Sequence, residues 1–243
     1  MADFVELWTY LSTTPLFGLT ATLLVYVLCT SVYQYSEQSP WLNPVLWSIV
    51  FLGTALLWLD LPYQRYFSGA QFIHFLLGPA VVSLAWPLWQ RRAELRRYFW
   101  RLMAAGFLGG AVSALSAFGL ARLLSLPDPI AWSLIPKSVT APVAMGLAQS
   151  IGGIPELAAV FAVLSGLIGA LLGRTIFTWI RVSQATEGWT RRGFALGTVS
   201  HGIGAARAIQ VNPQAGAYAG LALALQVVLA SVWIPLLFLW LGT

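Results

Sequence analysis

Residues 134–146 (Leu134-Ile-Pro-Lys-Ser-Val-Thr-Ala-Pro-Val-Ala-Met-Gly146) set a lysine, two hydroxyls and two prolines inside sequence that is otherwise apolar enough for lipid. Pro136 and Pro142 each remove a backbone donor and disfavour helix through the residue before them, so carbonyls near Lys137 are expected to lack helical partners. Lipid cannot solvate such backbone, which is tolerated at membrane depth only where protein buries it or water reaches it. An ionisable residue at that position is by default a site.

The surrounding composition makes the membrane reading firm. Of 243 residues, 58% are apolar and 9% charged, roughly a third of the charge that an ordinary soluble domain carries. One membrane domain over residues 1–243 is expected, with scaffold spans over 16–124 and two repeat units over 129–180 and 193–241. The net charge of +5 comes from a few membrane-flanking arginines, which orient spans and do not suggest a nucleic-acid partner. The lone Cys29 permits no internal disulfide and reads as a small packing residue. The start, Met1-Ala-Asp-Phe-Val-Glu6, is acidic and lacks the basic opening of a cleavable signal, so the first apolar segment is expected to stay.

Spans are expected over 16–32, 41–59 and 70–89. Asp60 before Pro62 reads as an interfacial turn residue and His74 as a structural histidine. The third span contains helix-disturbing points at Pro79 and Pro87. A basic run over 90–101 follows and is expected to face the cytoplasm. Residues 102–124 form a fourth span, with Gly106, Gly109, Gly110, Ala114 and Ala117 at spacings that admit another helix closely. After the Pro-Lys-Ser break, 157–180 is a span with small residues at Ser165, Gly166, Gly169, Ala170 and Gly173. A second basic loop covers 181–192, a segment rich in glycine with a second break near His201 and Gly204 follows, and 215–241 closes the chain. These small-residue faces suit either a homodimer interface or packing within one chain.

Gly146 and Gly204, Ala148 and Ala206, Ile151 and Ile209, and Pro155 and Pro213 are each 58 residues apart, the mark of an internal repeat. Two basic loops on one side require an even number of crossings between them, yet hydropathy offers three segments there. The conflict disappears if the proline-rich stretch dips into the membrane and returns on the same side, and its repeat mate dips from the other. The expected fold is an all-α integral membrane protein: about six full spans plus two broken or re-entrant helical elements forming an inverted repeat, the secondary-transporter arrangement.

Lys137, Ser138, Thr140, Ser200, His201 and Arg207, with Gly202 beside them, make a cationic and hydrogen-bonding set, and Glu156 is the acid near either break. That balance suits a small organic anion. A carboxylate would accept charge-assisted bonds from Lys137 or Arg207, and the hydroxyls would read a neighbouring oxygen. His201, with an ordinary pKa of about 6.5, is the natural proton carrier, and Glu156 is a second candidate. Arg207 also fits a residue reaching to the interface, and Glu156 one that caps the following span. No enzyme activity is expected. Neighbouring side chains on a helix diverge by about 100°, which places Lys137 and Ser138 poorly for nucleophilic catalysis. No ligand spacing for a metal and no phosphate loop appears, so neither metal nor cofactor is expected.

Tyr33-Gln-Tyr35, Leu77-Gly-Pro79 through Trp86-Pro-Leu-Trp89, Pro136-Lys-Ser-Val-Thr140 and Ser200-His-Gly-Ile-Gly204 together resemble the LrgB/CidB family. This family includes the plastidial glycolate/glycerate translocator of plants. The resemblance implies a multi-pass protein of the bacterial inner membrane, similar either to carriers of glycolate, glycerate or pyruvate, or to antiholin-like proteins that modulate murein hydrolases and lysis. It also implies a small LrgA/CidA-type membrane protein as a partner. The chain departs from the family pattern at Trp89 and Gln214.

Overall fold

The computed structural model describes residues 16–37, 39–76, 79, 82, 85–90 and 92–241. All its regular elements there are helical. By contacts the chain divides into two compact units, residues 1–80 and 81–243.

The first unit holds α1 (Leu16–Tyr35), a 3-10 turn (Pro40–Leu42), α2 (Pro44–Trp58) and α3 (Tyr63–Phe75). A Cβ on Gly18 would fall 1.9 Å from the Tyr66 carbonyl oxygen, so only glycine lets α1 and α3 approach this closely. The Tyr66 hydroxyl and Thr22 Oγ1 then share a hydrogen bond at 2.7 Å. The second expected span is shorter than 41–59 because Asn43 caps it. Its Oδ1 accepts from the N–H groups of Val45 and Leu46, and α2 has 15 residues. The third expected span is also altered, since α3 begins at Tyr63 and ends at Phe75. The break expected at Pro79 falls among residues 77, 78 and 80, which lie outside those described, as does the side chain of His74.

The second unit runs through α4 (Ala85–Gln90), α5 (Arg92–Arg97), α6 (Phe99–Leu123), α7 (Asp128–Ser133), a 3-10 turn (Ile135–Ser138), α8 (Ala141–Ser150), α9 (Pro155–Trp179), α10 (Thr186–Val211) and α11 (Pro213–Leu241). Among the described residues, α1, α6, α9 and α11 are long and apolar enough to cross a bilayer. Large apolar side chains such as Leu57 (84% exposed), Leu120 and Leu239 face outward, while the buried set is dominated by alanines such as Ala114, Ala148, Ala162 and Ala219. That inversion is what lipid as solvent imposes, because close packing of small residues holds helices together where no hydrophobic drive separates them from the tails. The chain is a multi-pass membrane protein.

Two helical hairpins position the site. In α10 the helix is interrupted at His201 (φ 40, ψ −135), and the chain doubles back there. A Cβ on Gly193 would lie 2.0 Å from the Ala215 carbonyl oxygen and one on Gly197 2.1 Å from that of Ala219, so the inbound limb runs parallel to the start of α11. The same stretch of α11 meets the outbound limb, since a Cβ on Gly216 would lie 2.5 Å from Ile209 Cα. Both limbs therefore begin and end at one level. The break is thus at His201 and not at Gly204, whose lack of a side chain instead serves the close return: a Cβ there would meet the Leu196 carbonyl oxygen at 2.9 Å.

The first hairpin is built from α7, the 3-10 turn and α8. Ser133 Oγ accepts from the Ile154 N–H at 2.8 Å and donates to the Pro129 carbonyl at 2.6 Å, and a Cβ on Gly152 (φ 80) would lie 2.9 Å from the Trp132 ring. Entry and exit are again side by side. Val139 and Thr140 carry the extended backbone at the tip. Pro142 does not break a helix here. It lies in the first turn of α8, where its missing N–H has no helical partner to lose.

The Arg122–Asp128 ion pair ties the end of α6 to the entry of the first hairpin. At the opposite end, Tyr218 near the start of α11 donates to Glu94 on α5, and Arg192 on the inbound limb of α10 donates to the Val182 carbonyl after α9. The two basic loops thus share one end, and α6 and α9 are the two full crossings between them. The hairpins enter from opposite ends. In a Cys29→Ser background, Ser183→Cys and Asn212→Cys are expected to react with a membrane-impermeant thiol reagent from one face, and Ser125→Cys and Glu156→Cys from the other. Labelling of Ser183→Cys and Asn212→Cys from opposite faces would contradict the doubled-back geometry.

Candidate functional site

The hairpin tips lie against the middle of α6. Lys137, in the 3-10 turn, donates through Nζ to Ser113 Oγ, and Ser113 lies near the midpoint of the 25-residue α6. Thr198, just before the second tip, brings its methyl to 3.0 Å from a Cβ on Gly109. Gly109 and Ser113 are one turn apart on one face, about 6 Å along the axis, and the 3-10 turn also packs against α10. Lys137 and Thr198 therefore reach neighbouring turns of a single helix from opposite ends of the unit.

His201 occupies a left-handed conformation that side chains rarely adopt and that costs on the order of 1–3 kcal/mol. The ring is nearly fully buried against α9, where a Cβ on Gly166 would lie 2.7 Å from Cε1, and Nε2 is 2.6 Å from the Ala162 carbonyl oxygen. A carbonyl only accepts, so Nε2 carries the proton and Nδ1 is left to titrate. Ser200 lies over Gly169, whose Cβ would fall 1.7 Å from Ser200 Oγ. The glycines of α9 thus serve packing within this chain, and Gly106 and Gly110 of α6 do likewise: Gly106 faces Leu225 and Leu229, and Gly110 faces Gln226.

Several buried polar atoms in this region have no hydrogen-bond partner. They include Ser200 Oγ, Thr140 Oγ1 and both Oε1 and Nε2 of Gln226. An orphaned buried group costs about 1–3 kcal/mol, so each of these atoms would favour a polar ligand within its reach. Gln226 is 1% exposed, near the midpoint of α11, and its amide fills the space over Gly110, one turn of α6 from Ser113. Gln226 and Ser113 are the residues that the motif reading missed. A lone amide within Leu221-Ala-Leu-Ala-Leu-Gln226 was the available signal, since polar residues deep in a span rarely lack a role.

An open crevice of about 850 Å³ leads inward from the basic end, past Arg101, Glu187 and Arg191, to Gly109, Gly169, Thr198 and Ser200. It ends short of Lys137. Beyond it, Val139, Ala144, Leu147, Ile151 and Ala158 pack into a continuous core that closes the first tip from the other end.

Other expected site residues lie elsewhere. Ser138 is buried at the first tip, and Gly202 directly follows His201 on the second. Glu156 is exposed in the first turn of α9, at the end remote from the basic loops, because the outbound limb has already left the tip. Arg207 is carried away from the second tip by the return of the chain and lines a separate pocket near the basic end. Among the described residues, no three His, Cys, Asp or Glu side chains cluster as a metal site.

The LrgB-like family model matches residues 22–240, which takes in both hairpins, α6 and α9 whole, and most of α1 and α11. The chain belongs to the LrgB-like family. It is 30% identical over 215 residues to protein YxaC of Bacillus subtilis, covering 88% of this chain and 91% of that one. YwbG of the same organism is 30% identical over 216 residues, covering 89% and 94%. The antiholin-like protein LrgB of Bacillus cereus is 28% identical over 233 residues, covering 94% and 98%. No solved structure matches.

The strained turn makes a prediction for this LrgB-like chain. His201→Gly removes the ring and also the backbone strain, whereas His201→Ala removes only the ring. His201→Gly is therefore expected to unfold at a higher temperature than His201→Ala, by the equivalent of about 1 kcal/mol. The reverse order in a thermal-unfolding assay would show that the conformation at 201 carries no such strain.

Proposed function

We propose that this chain is a secondary carrier of small organic anions, with monocarboxylates of the glycolate, glycerate or pyruvate kind as the substrate class. The observation that carries the reading is Lys137 held against Ser113 at the middle of α6, with Thr198 of the second tip and Gln226 on neighbouring positions of the same helix and the side-chain oxygens of Ser200 and Thr140 buried near the tips without partners. An anion at that point would replace Ser113 as the lysine's acceptor and take hydrogen bonds from the orphaned donors. In a dry setting such charge-assisted bonds are strong, and the orphaned groups supply specificity for a substrate oxygen. The crevice from the basic end reaches Ser200, and the apolar core closes the first tip from the opposite end. Tilting one hairpin with its span against α6 would exchange the two conditions, which is alternating access. His201, with Nδ1 left to titrate, is the proposed coupling group for a proton. The proposed location is the bacterial inner membrane, with the basic end cytoplasmic. A homodimer or a small LrgA/CidA-type partner would complete the assembly, and no catalytic step is assigned.

A second reading rests on the relatives. The Bacillus cereus proteins carry the name antiholin-like, which supports a regulator of murein hydrolase export and lysis, and the relatives' names lend nothing to monocarboxylate carriage. In that reading the hairpins would serve assembly and not turnover.

Uptake of radiolabelled glycolate, glycerate and pyruvate into proteoliposomes, with and without a pH gradient, separates the two. Saturable uptake that falls at least tenfold in Lys137→Ala, with the variant still folded, is the expected result. Gln226→Leu, which removes an orphaned amide at similar volume, is expected to lose uptake while keeping or raising thermal stability. Absence of uptake for all three acids, together with altered lysis of cells that express the protein, would favour the antiholin-like reading.

A further inference from the structure

The second tip rests on one face of α9. Ala162, Ser165, Gly166 and Gly169 recur there at helical spacing, and each meets the tip. Nε2 of His201 lies 2.6 Å from the Ala162 carbonyl oxygen, a Cβ on Gly166 would lie 2.7 Å from the same ring, and one on Gly169 would lie 1.7 Å from Ser200 Oγ. Ser165 Oγ, between them, donates at 3.1 Å to the Val199 carbonyl. Three consecutive residues, Val199, Ser200 and His201, are thus each held by α9, the first of them through its backbone.

The Ser165 bond differs from other hydroxyl contacts in the helices of this chain. Thr54, Thr178 and Thr198 each donate to a carbonyl four residues back in their own helix, as hydroxyls within helices commonly do. Ser165 has the same option and donates to another helix instead. The acceptor gives the reason. The last carbonyls of a helix have no donors within it, and the interruption at His201 puts Val199 among them, at a depth where lipid offers no donor either. Val199 and Ser200 both line the crevice that opens at the basic end. Without Ser165, the Val199 carbonyl would turn toward that crevice for a donor, and Ser200, the next residue, would be drawn off Gly169.

We propose that Ser165 is a positioning residue for the second tip: its hydrogen bond to the Val199 carbonyl holds the buried Ser200 side chain against Gly169 at the inner end of the crevice. The consequence for uptake rests on the carrier reading above, whereas the placement of Ser200 does not.

The test uses the full chain in a Cys29→Ser background with Ser200→Cys as the reporter, treated in detergent with a small water-soluble thiol reagent. With Ser165 in place the thiol is expected to react slowly. Adding Ser165→Ala is expected to speed the reaction at least fivefold, and adding Ser165→Thr, which supplies a hydroxyl again, to keep it within twofold of the starting rate. Ser165→Val, which matches threonine in shape and lacks the donor, is expected to behave as Ser165→Ala does. In proteoliposomes of the chain with Ser200 intact, Ser165→Ala is expected to raise the KM for uptake at least fivefold with Vmax within twofold, and Ser165→Thr to rescue it. Reaction of Ser200→Cys at one rate whatever stands at 165, or equal acceleration by the threonine and valine variants, would overturn the positioning role. Absence of uptake from every protein would overturn the carrier reading alone, because the labelling rates are read without transport.

Discussion

Broken helix ends carry unpaired carbonyls and N–H groups, and a bilayer offers them no water; this constraint governs the second unit. Both hairpin tips are therefore walled in by full-length helices. The first tip packs against α6 and α9, and the second against α6, α9 and α11. Such enclosure requires very close approach, which is why glycines and alanines line the contacts: Gly193 and Gly197 admit the backbone of α11, and Gly166 and Gly169 admit His201 and Ser200. Replacing any of these with a larger residue would push a tip out of its wall. Stability and site geometry are here the same set of contacts.

Polarity at the tips follows from the enclosure. Once the breaks are buried at mid-depth, each polar side chain there must find a partner or wait for one. Lys137 finds Ser113, and His201 finds the Ala162 carbonyl. Ser200, Thr140 and Gln226 do not. The left-handed backbone at His201 fits a position kept for its side chain at the expense of local conformation.

Much of this was legible in the sequence, for identifiable reasons. Lys137 stood out because a charged residue between prolines has no ordinary place in a span, and the glycine spacing on α6 and α9 announced close packing. The charge parity of the two basic loops led to the hairpins. What could not be read was where each chain reverses. The glycine-rich pattern gave a break near His201 with Gly204 as a helix-breaking residue, whereas the turn falls on His201 itself, whose strain is offset by tertiary contacts to α9 that no local pattern encodes. The same reversal takes Arg207 away from the site, which a helix continued through 201 would not do. Pro142 was misjudged because a proline in a first turn and a proline in mid-helix read alike until the preceding element is known. Gln226 and Ser113 were overlooked because each is a lone polar residue outside any motif.

Everything built on the second unit requires both tips to meet neighbouring turns of α6. The direct measurement is thiol cross-linking in native membranes of two double variants in a Cys29→Ser background, Ser113→Cys with Lys137→Cys and Gly109→Cys with Thr198→Cys, using a short bifunctional reagent. Efficient linking of both pairs is predicted, with no linking when Ser125→Cys replaces the α6 cysteine. Failure of either tip to link to its α6 position in folded protein would mean that the hairpins do not converge at mid-depth, and the anion site built on that convergence would fall with it.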